Sequence, residues 1–246
     1  MLLNPTLERL KTLKFNGMAR AFEEQLNSSE FEGLRFEERL GLLVDREATE
    51  RENRRLQTRL RQAKLRQQAC VEDIDYRHPR GLDRSLIQSL VSCRWIKEHN
   101  NVLITGPTGA GKSFLACALG HKACLEGFKV IYLRAPRMFK DLALARGDGR
   151  YIKLMNSFAK ADLLIIDDWG LSALKEQERN DLLEILEDRH HIHSTIMAGQ
   201  LPVEHWHEMI GNPTLADAIL DRLVHNAYQI NLEGESMRKK KSKKTL

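Results

Sequence analysis

The sequence predicts an α/β fold, a parallel sheet flanked by helices and preceded by an all-helical segment, and three observations carry that prediction. From residue 101 onward, short apolar strands alternate with helical stretches, the order that builds parallel β-α-β units. A glycine-rich string, GPTGAGKS at 106–113, sits between the first strand and the first helix of that series. Up to about residue 70 the apolar residues recur at helical spacing with a single proline, Pro5, so that part reads as helix throughout.

Within the helical part, Leu56, Leu60 and Ala63 stand at i, i+4 and i+7, and Arg55, Arg59 and Arg66 share a neighbouring flank. Residues 51–66 hold seven basic side chains, Arg51 and Arg54 among them, against one acid. Such a flank is either a solvated, charge-laced helix face or a face that contacts phosphates, and both readings stand. Residues 75–84, DYRHPRGLDR, combine proline, glycine and charge and mark a domain entry. The expected organisation is a helical domain at 1–72 for DNA or a partner, an α/β core at 73–237 and a basic tail at 238–246.

In the core, NVLITG is a strand, SFLACALGHKACLEG a helix ending at Gly127, and KVIYLRA a second strand. A helical stretch near 136–145 and a turn at GDGR, 147–150, lead to ADLLIIDD, continuously apolar as a strand buried on both faces must be. NDLLEILEDRHH is a helix and STIMAGQ a fourth strand.

The 246 residues, 42% of them hydrophobic, suffice for one core of about 150 to 180 residues and a smaller appendage. With no run of 18 apolar residues and charges inside the N-terminal apolar pattern, neither a membrane span nor a secretory signal fits, and a cytoplasmic protein is expected. Cys70, Cys93, Cys117 and Cys124 lack C-x-x-C spacing, and the histidines at 190, 191, 193, 205 and 207 lack a helical ligand pair, so disulfides and a side-chain metal centre are not expected. The net charge of +5 is uneven: the last nine residues, RKKKSKKTL, carry six Lys or Arg, and the rest of the chain sums to −1. That tail is either a solubilising end or a nonspecific phosphate binder.

Residues 106–113 satisfy G-x-x-x-x-G-K-[ST] in the strand-loop-helix context that the string requires. Gly106, Pro107, Thr108, Gly109, Ala110, Gly111, Lys112, Ser113 and Phe114 are therefore the candidate nucleotide contacts. Backbone amides and the helix N-terminus receive phosphate oxygens, Lys112 adds a point charge for the β and γ phosphates, and the Ser113 hydroxyl is a ligand for Mg2+. LLIIDDWG, 163–170, ends a buried strand in two acids; Asp167 fits the Mg2+-holding carboxylate and Asp168 the group that polarises water against the γ-phosphate. Arg222 and Arg238 lie far downstream, and periodicity alone does not decide between ion pairs and catalysis for them.

LITGPTGAGKSFLACALG, LLIIDDWG, STIMAGQLPVEHW and LADAILDRLVHNAYQINLEGESMRKK together resemble the IstB family, ATPase helpers of IS21-type transposons, and more distantly the DnaC-like helicase loaders. The resemblance implies an AAA+ P-loop core without the usual C-terminal helical lid. By that likeness Arg222 is an arginine finger acting in trans and Arg238 a sensor-2-type arginine acting in its own subunit. Gln200 stands where the loaders have a sensor-1 Asn, and Asp168 where many relatives have Glu. A trans finger completes the site only between protomers, so ATP should drive head-to-tail assembly, a homo-oligomer or a helical filament. Between strands two and three, Arg134, Arg137, Lys140, Arg146, Arg150 and Lys153 face only Asp141 and Asp148, in a region where related initiators carry a DNA-contacting insertion.

The leading expectation is a slow, DNA- or partner-stimulated ATPase, using ATP and Mg2+, that oligomerises on double-stranded DNA without reading base sequence and assists the transposase of its own element. It would be nucleoid-associated when bound. The alternative is a helicase loader acting in DNA replication. A small-molecule kinase is a third class, disfavoured because the acid pair and Arg222 suit water as the acceptor.

Overall fold

The computed structural model describes residues 5–234, 236 and 237. The chain divides into two compact units, Met1–Thr58 and Arg59–Leu246.

The first unit is helical. It contains α1 (Pro5–Thr12), α2 (Asn16–Asn27) and most of α3 (Phe36–Ala63). Helices α2 and α3 run antiparallel, with Gly17 beside Glu47 at one end and Gln25 beside Arg39 at the other. The backbones approach closely because Gly17 has no side chain; a Cβ there would stand 2.7 Å from the Glu47 Cα. The buried Glu47 carboxylate accepts from the Gly17 and Met18 amides at 2.7 and 3.2 Å and from Arg51 Nε at 2.6 Å. Gln25 donates to the Arg39 carbonyl at 3.0 Å.

The division between the units falls inside α3, ahead of the 72/73 boundary that composition suggests. Sequence contrast marks where proline and glycine stand, whereas compactness follows packing. Ala63 and Ala69 are buried in the second unit, and a Leu65 methyl lies against Gly120.

The second unit continues with α4 (Arg84–Val91), α5 (Arg94–Lys97), β1 (Asn101–Thr105), α6 (Lys112–Leu125), β2 (Val130–Arg134), α7 (Ala135–Gly147), α8 (Tyr151–Ala159), β3 (Leu163–Trp169), α9 (Glu176–Glu187), β4 (Ser194–Gly199), α10 (Trp206–Ile210), α11 (Pro213–Val224) and β5 (Ala227–Asn231). Asp83 caps α4 by accepting from the Ser85 and Leu86 amides, and Asn212 caps α11 by accepting from Leu215. The five strands are all parallel, in the order β2-β3-β4-β1-β5.

Burial follows that order. β1 and β4, at the centre, are buried along their whole length, while β5 at one edge buries only Ile230. Beside β3, Trp169 meets Trp206 edge to face at 5.9 Å, packing α10 against the sheet. β5 is a strand that periodicity did not reveal, because AYQIN carries polar groups and follows a helix after only two residues, with no glycine or proline between. Helix α8, too, lay beyond the sequence reading. Among the described residues no helical lid follows β5, and no helix is long and apolar enough to cross a membrane.

Candidate nucleotide site

β1 delivers its last residue, Thr105, to a loop that reverses through left-handed backbone. Gly106, Gly109 and Gly111 have φ of +138°, +86° and +104°, conformations that side chains resist. At Gly106 no Cβ could be placed, since it would stand 2.2 Å from the Leu232 carbonyl oxygen. The loop opens α6 at Lys112, with Ser113 and Phe114 in its first turn and half buried. Lys112 Nζ folds back over the loop and donates to the Gly106 and Pro107 carbonyls at 2.6 and 2.8 Å. A glycine-turned loop, a 14-residue helix opening on it and an ammonium held above it together fit a triphosphate.

Two features of this loop escaped sequence reasoning. Arg80, only 2% exposed, donates from one guanidinium nitrogen to the Ala110 carbonyl at 2.9 Å and from the other to the Asp75 carbonyl at 3.2 Å. It ties the domain entry to the nucleotide loop, and burial lowers its pKa, with Asp75 opposing. The chain after β5 also closes on the loop: the Met237 amide donates to Gly109 O at 3.0 Å. A lone arginine in a linker carries no local signal of a partner 30 residues on.

β3 brings in the acids. Asp167 is 1% exposed and accepts from the Tyr132 hydroxyl on Oδ2 at 2.5 Å and from the Asp168 amide on Oδ1 at 2.8 Å. Burial, and then the Asp167 carboxylate, push the Tyr132 hydroxyl far above its usual range, so it stays protonated and donates. The β3–β4 register shifts between Ile166 and Trp169, and Asp168 takes φ of +57°. That left-handed turn costs a non-glycine residue on the order of 1 kcal/mol, and such strain is held where function needs it. Ser113 and Asp167 offer the hard oxygens that Mg2+ prefers. Among the described residues no group of three or more His, Cys, Asp or Glu could hold a metal alone, so a cation here would also need phosphate oxygens and water.

Several arginines expected on DNA form ion pairs with acids of the same chain. Arg134, opposite Asp167 in the β2–β3 register, places Nε 2.5 Å from Asp168 Oδ2. Arg66 reaches the same oxygen at 3.3 Å and Asp167 Oδ2 at 3.7 Å. Arg146 pairs with buried Asp181 and stacks over Tyr151 at 3.7 Å. Arg137 pairs with Asp141 and Arg150 with Asp148. Lys140 and Lys153 are exposed on α7 and α8, and Arg54 and Arg55 on α3. Arg51 is tied to Glu47 and lies 5.0 Å over Phe15, and Arg59 is half buried near Gly127.

Gln200 is exposed directly after β4, the strand between the acid-bearing β3 and the loop-bearing β1. Arg222, in the last turn of α11, pairs with Glu187 and donates to the Ala218 carbonyl at 2.8 Å. Its own carbonyl accepts from Asn101, the first residue of β1, at 3.0 Å. Arg238 and the basic tail lie outside the described residues.

Residues 8–245 match the model of the family described as IstB-like ATP binding protein. The chain belongs to that family. It is 57% identical to an insertion sequence ATP-binding protein of Sinorhizobium fredii over the full length of both chains. It is 31% identical to the IS21 ATP-binding protein of Pseudomonas aeruginosa, covering 96% of this chain and 89% of the other. Among solved structures, the DnaC helicase loader aligns with a TM-score of 0.55 at 17% identity over 66% of this chain and 96% of its own. A DNA replication initiation factor aligns with a TM-score of 0.58 at 21% identity over 74% of this chain and 55% of its own. The IstB-like chain is thus an ATP-binding protein of IS21 type with an AAA+ P-loop fold.

Proposed function

We propose that the protein is an ATPase that assembles head to tail on duplex DNA and assists the transposase of its insertion sequence. The position of Arg222 carries this reading. Its backbone lies at the start of β1, whereas the phosphate loop begins at the end of that strand, about 13 Å away by strand geometry. An arginine so placed is suited to a neighbour's nucleotide rather than its own.

In the proposed reaction a water oxygen bonds to the γ-phosphorus as the bond to the β-γ bridging oxygen breaks, and ADP leaves. Asp168 accepts the water's proton and passes it to solvent. Lys112 and the loop amides balance charge on the β and γ phosphates, and the neighbour's Arg222 stabilises charge spread over the γ-phosphoryl oxygens. Gln200 orients the water, and Arg238 contacts nucleotide in its own subunit. Ser113 and Asp167 would hold Mg2+, which would supply further neutralisation of phosphate charge. The helical unit and the exposed basic residues Arg54, Arg55, Lys140 and Lys153 supply backbone contacts to DNA, so binding should weaken with salt and be indifferent to sequence. Relatives named for insertion sequences favour this reading over a helicase loader, whose likeness is one of fold.

Sedimentation of the full chain on linear duplex DNA, with ATP or ADP, tests it. Oligomers formed with ATP and lost with ADP are expected, and Arg222→Ala should abolish turnover at unchanged ATP affinity. A protein that stays monomeric on DNA with ATP overturns the reading.

A further inference from the structure

The phosphate loop is permissive by composition and has to be held from outside. Gly109 and Gly111 flank Ala110 with φ of +86° and +104°, and glycine lets the adjoining peptide planes turn over at little cost. Their orientation matters, because a trans peptide points its carbonyl and the following amide to opposite sides. Amides turned toward a nucleotide receive its phosphate oxygens, whereas a carbonyl turned the same way repels them.

Two contacts fix these planes. The Met237 amide donates to the Gly109 carbonyl at 3.0 Å, and Arg80 Nη1 donates to the Ala110 carbonyl at 2.9 Å. The guanidinium is pressed onto the loop, since a Cβ at Gly111 would stand 2.4 Å from Nη1. On this side the loop is backed by protein. The Glu233 amide donates to the Arg80 carbonyl at 2.9 Å, Leu232 lies against Gly106 and Ser236 against Gly109. Phosphates therefore have to come to the other side. The Gly111 N–H is turned to that side while Arg80 holds the Ala110 carbonyl.

Arg80 is a poor choice for filling space. Its hydrogen bonds end on the Ala110 and Asp75 carbonyls and on the Met237 sulfur rather than on a carboxylate. Its Nε is buried with no partner among the described residues. An orphaned buried donor destabilises a fold, and an apolar side chain would fill the same space without that cost. What an apolar side chain lacks is a donor for the loop carbonyl and a positive charge beside a loop that receives a polyanion.

We propose that Arg80 is a positioning residue for nucleotide binding, holding the Ala110 carbonyl away from the ligand and so aiming the Gly111 amide at the phosphates that ADP and ATP share. This role belongs to the binding step and depends neither on hydrolysis nor on assembly. The loop amides cradle the α and β phosphates, so the γ-phosphate should not enter into it.

The test is calorimetric titration of the full chain with ADP and with ATP, in excess Mg2+, for wild type, Arg80→Met and Arg80→Lys, with thermal melting of each protein without nucleotide. Arg80→Met keeps an apolar stem and loses the donors and the charge. It is expected to weaken ADP and ATP by the same factor, about tenfold. Arg80→Lys keeps the charge and a donor for the Ala110 carbonyl but not the fork, and is expected to weaken both about threefold. An Arg80→Met protein that melts lower yet binds ADP as tightly as wild type overturns the proposal, because the arginine then only supports the fold. A loss confined to ATP overturns it too, as does an Arg80→Lys protein that binds no better than Arg80→Met. If Arg80→Met does not fold, ADP affinity of Arg80→Lys equal to that of wild type overturns it equally. Absence of ATP turnover would count against the ATPase reading alone and leave these affinities to be read.

Discussion

At the scale of single residues, the acid pair shows how one carboxylate is locked inside the sheet while its neighbour stays within reach of solvent. Asp167 is locked by the Tyr132 hydroxyl and by the Asp168 amide, inside the sheet. Asp168 sits in left-handed backbone with 21% of its side chain exposed, held by side chains that solvent can reach. Tyr132→Phe tests the first half of that contrast. It removes one donor to a buried charged acceptor, worth about 1.5–3 kcal/mol, while leaving the ring in place. Turnover should fall by tenfold or more by rough conversion, and the Mg2+ concentration for half-maximal rate should shift. ATP affinity measured with EDTA should not change. Unaltered turnover and metal dependence would mean that the tyrosine only fills space.

At the scale of elements, the α2–α3 pair depends on one buried carboxylate as much as on apolar contact. Burial alone would raise the pKa of Glu47, but the hydrogen bonds from Arg51, Met18 and Gly17 outweigh it and leave the carboxyl below its usual range. A depressed pKa stabilises the fold fully above the unfolded value of 4.5 and loses that contribution as pH falls through the folded value. Glu47→Gln should cost about 1–3 kcal/mol at neutral pH, as buried amide donors lose a charged acceptor, and melting curves of variant and wild type should converge below that range. A gap that persists into acid would assign the loss to packing. Elements also decide what could be read in advance. β1 to β4 and the phosphate loop announce themselves locally, through apolar runs and the spacing of glycines around Lys112. β5 does not, because an edge strand buries one residue in five. The grips of Arg66 and Arg134 on Asp168 span 102 and 34 residues, and a basic residue awaiting DNA looks the same in sequence as one already holding an acid. Arg80 and Tyr132 were missed for the same reason.

At the scale of the whole molecule, the question is whether a site is completed within one chain or between two. Asp168 belongs to the C-terminal end of β3, while Arg222 is held at the start of β1 by Asn101 and by Glu187. In parallel strands these are opposite ends of the sheet. If hydrolysis needs both, each active site draws Asp168 from one protomer and Arg222 from the next, and the two functions can be supplied by different chains. Asp168→Asn and Arg222→Ala should each be inactive alone. Mixed in equal amounts with ATP and duplex DNA, they should recover about a quarter of wild-type turnover, because a random head-to-tail array pairs an intact acid with an intact finger at about one junction in four. Dilution below the assembly concentration should abolish the recovery. A mixture that stays inactive while still assembling would place the finger's action within its own chain and remove the reason for ATP to join protomers.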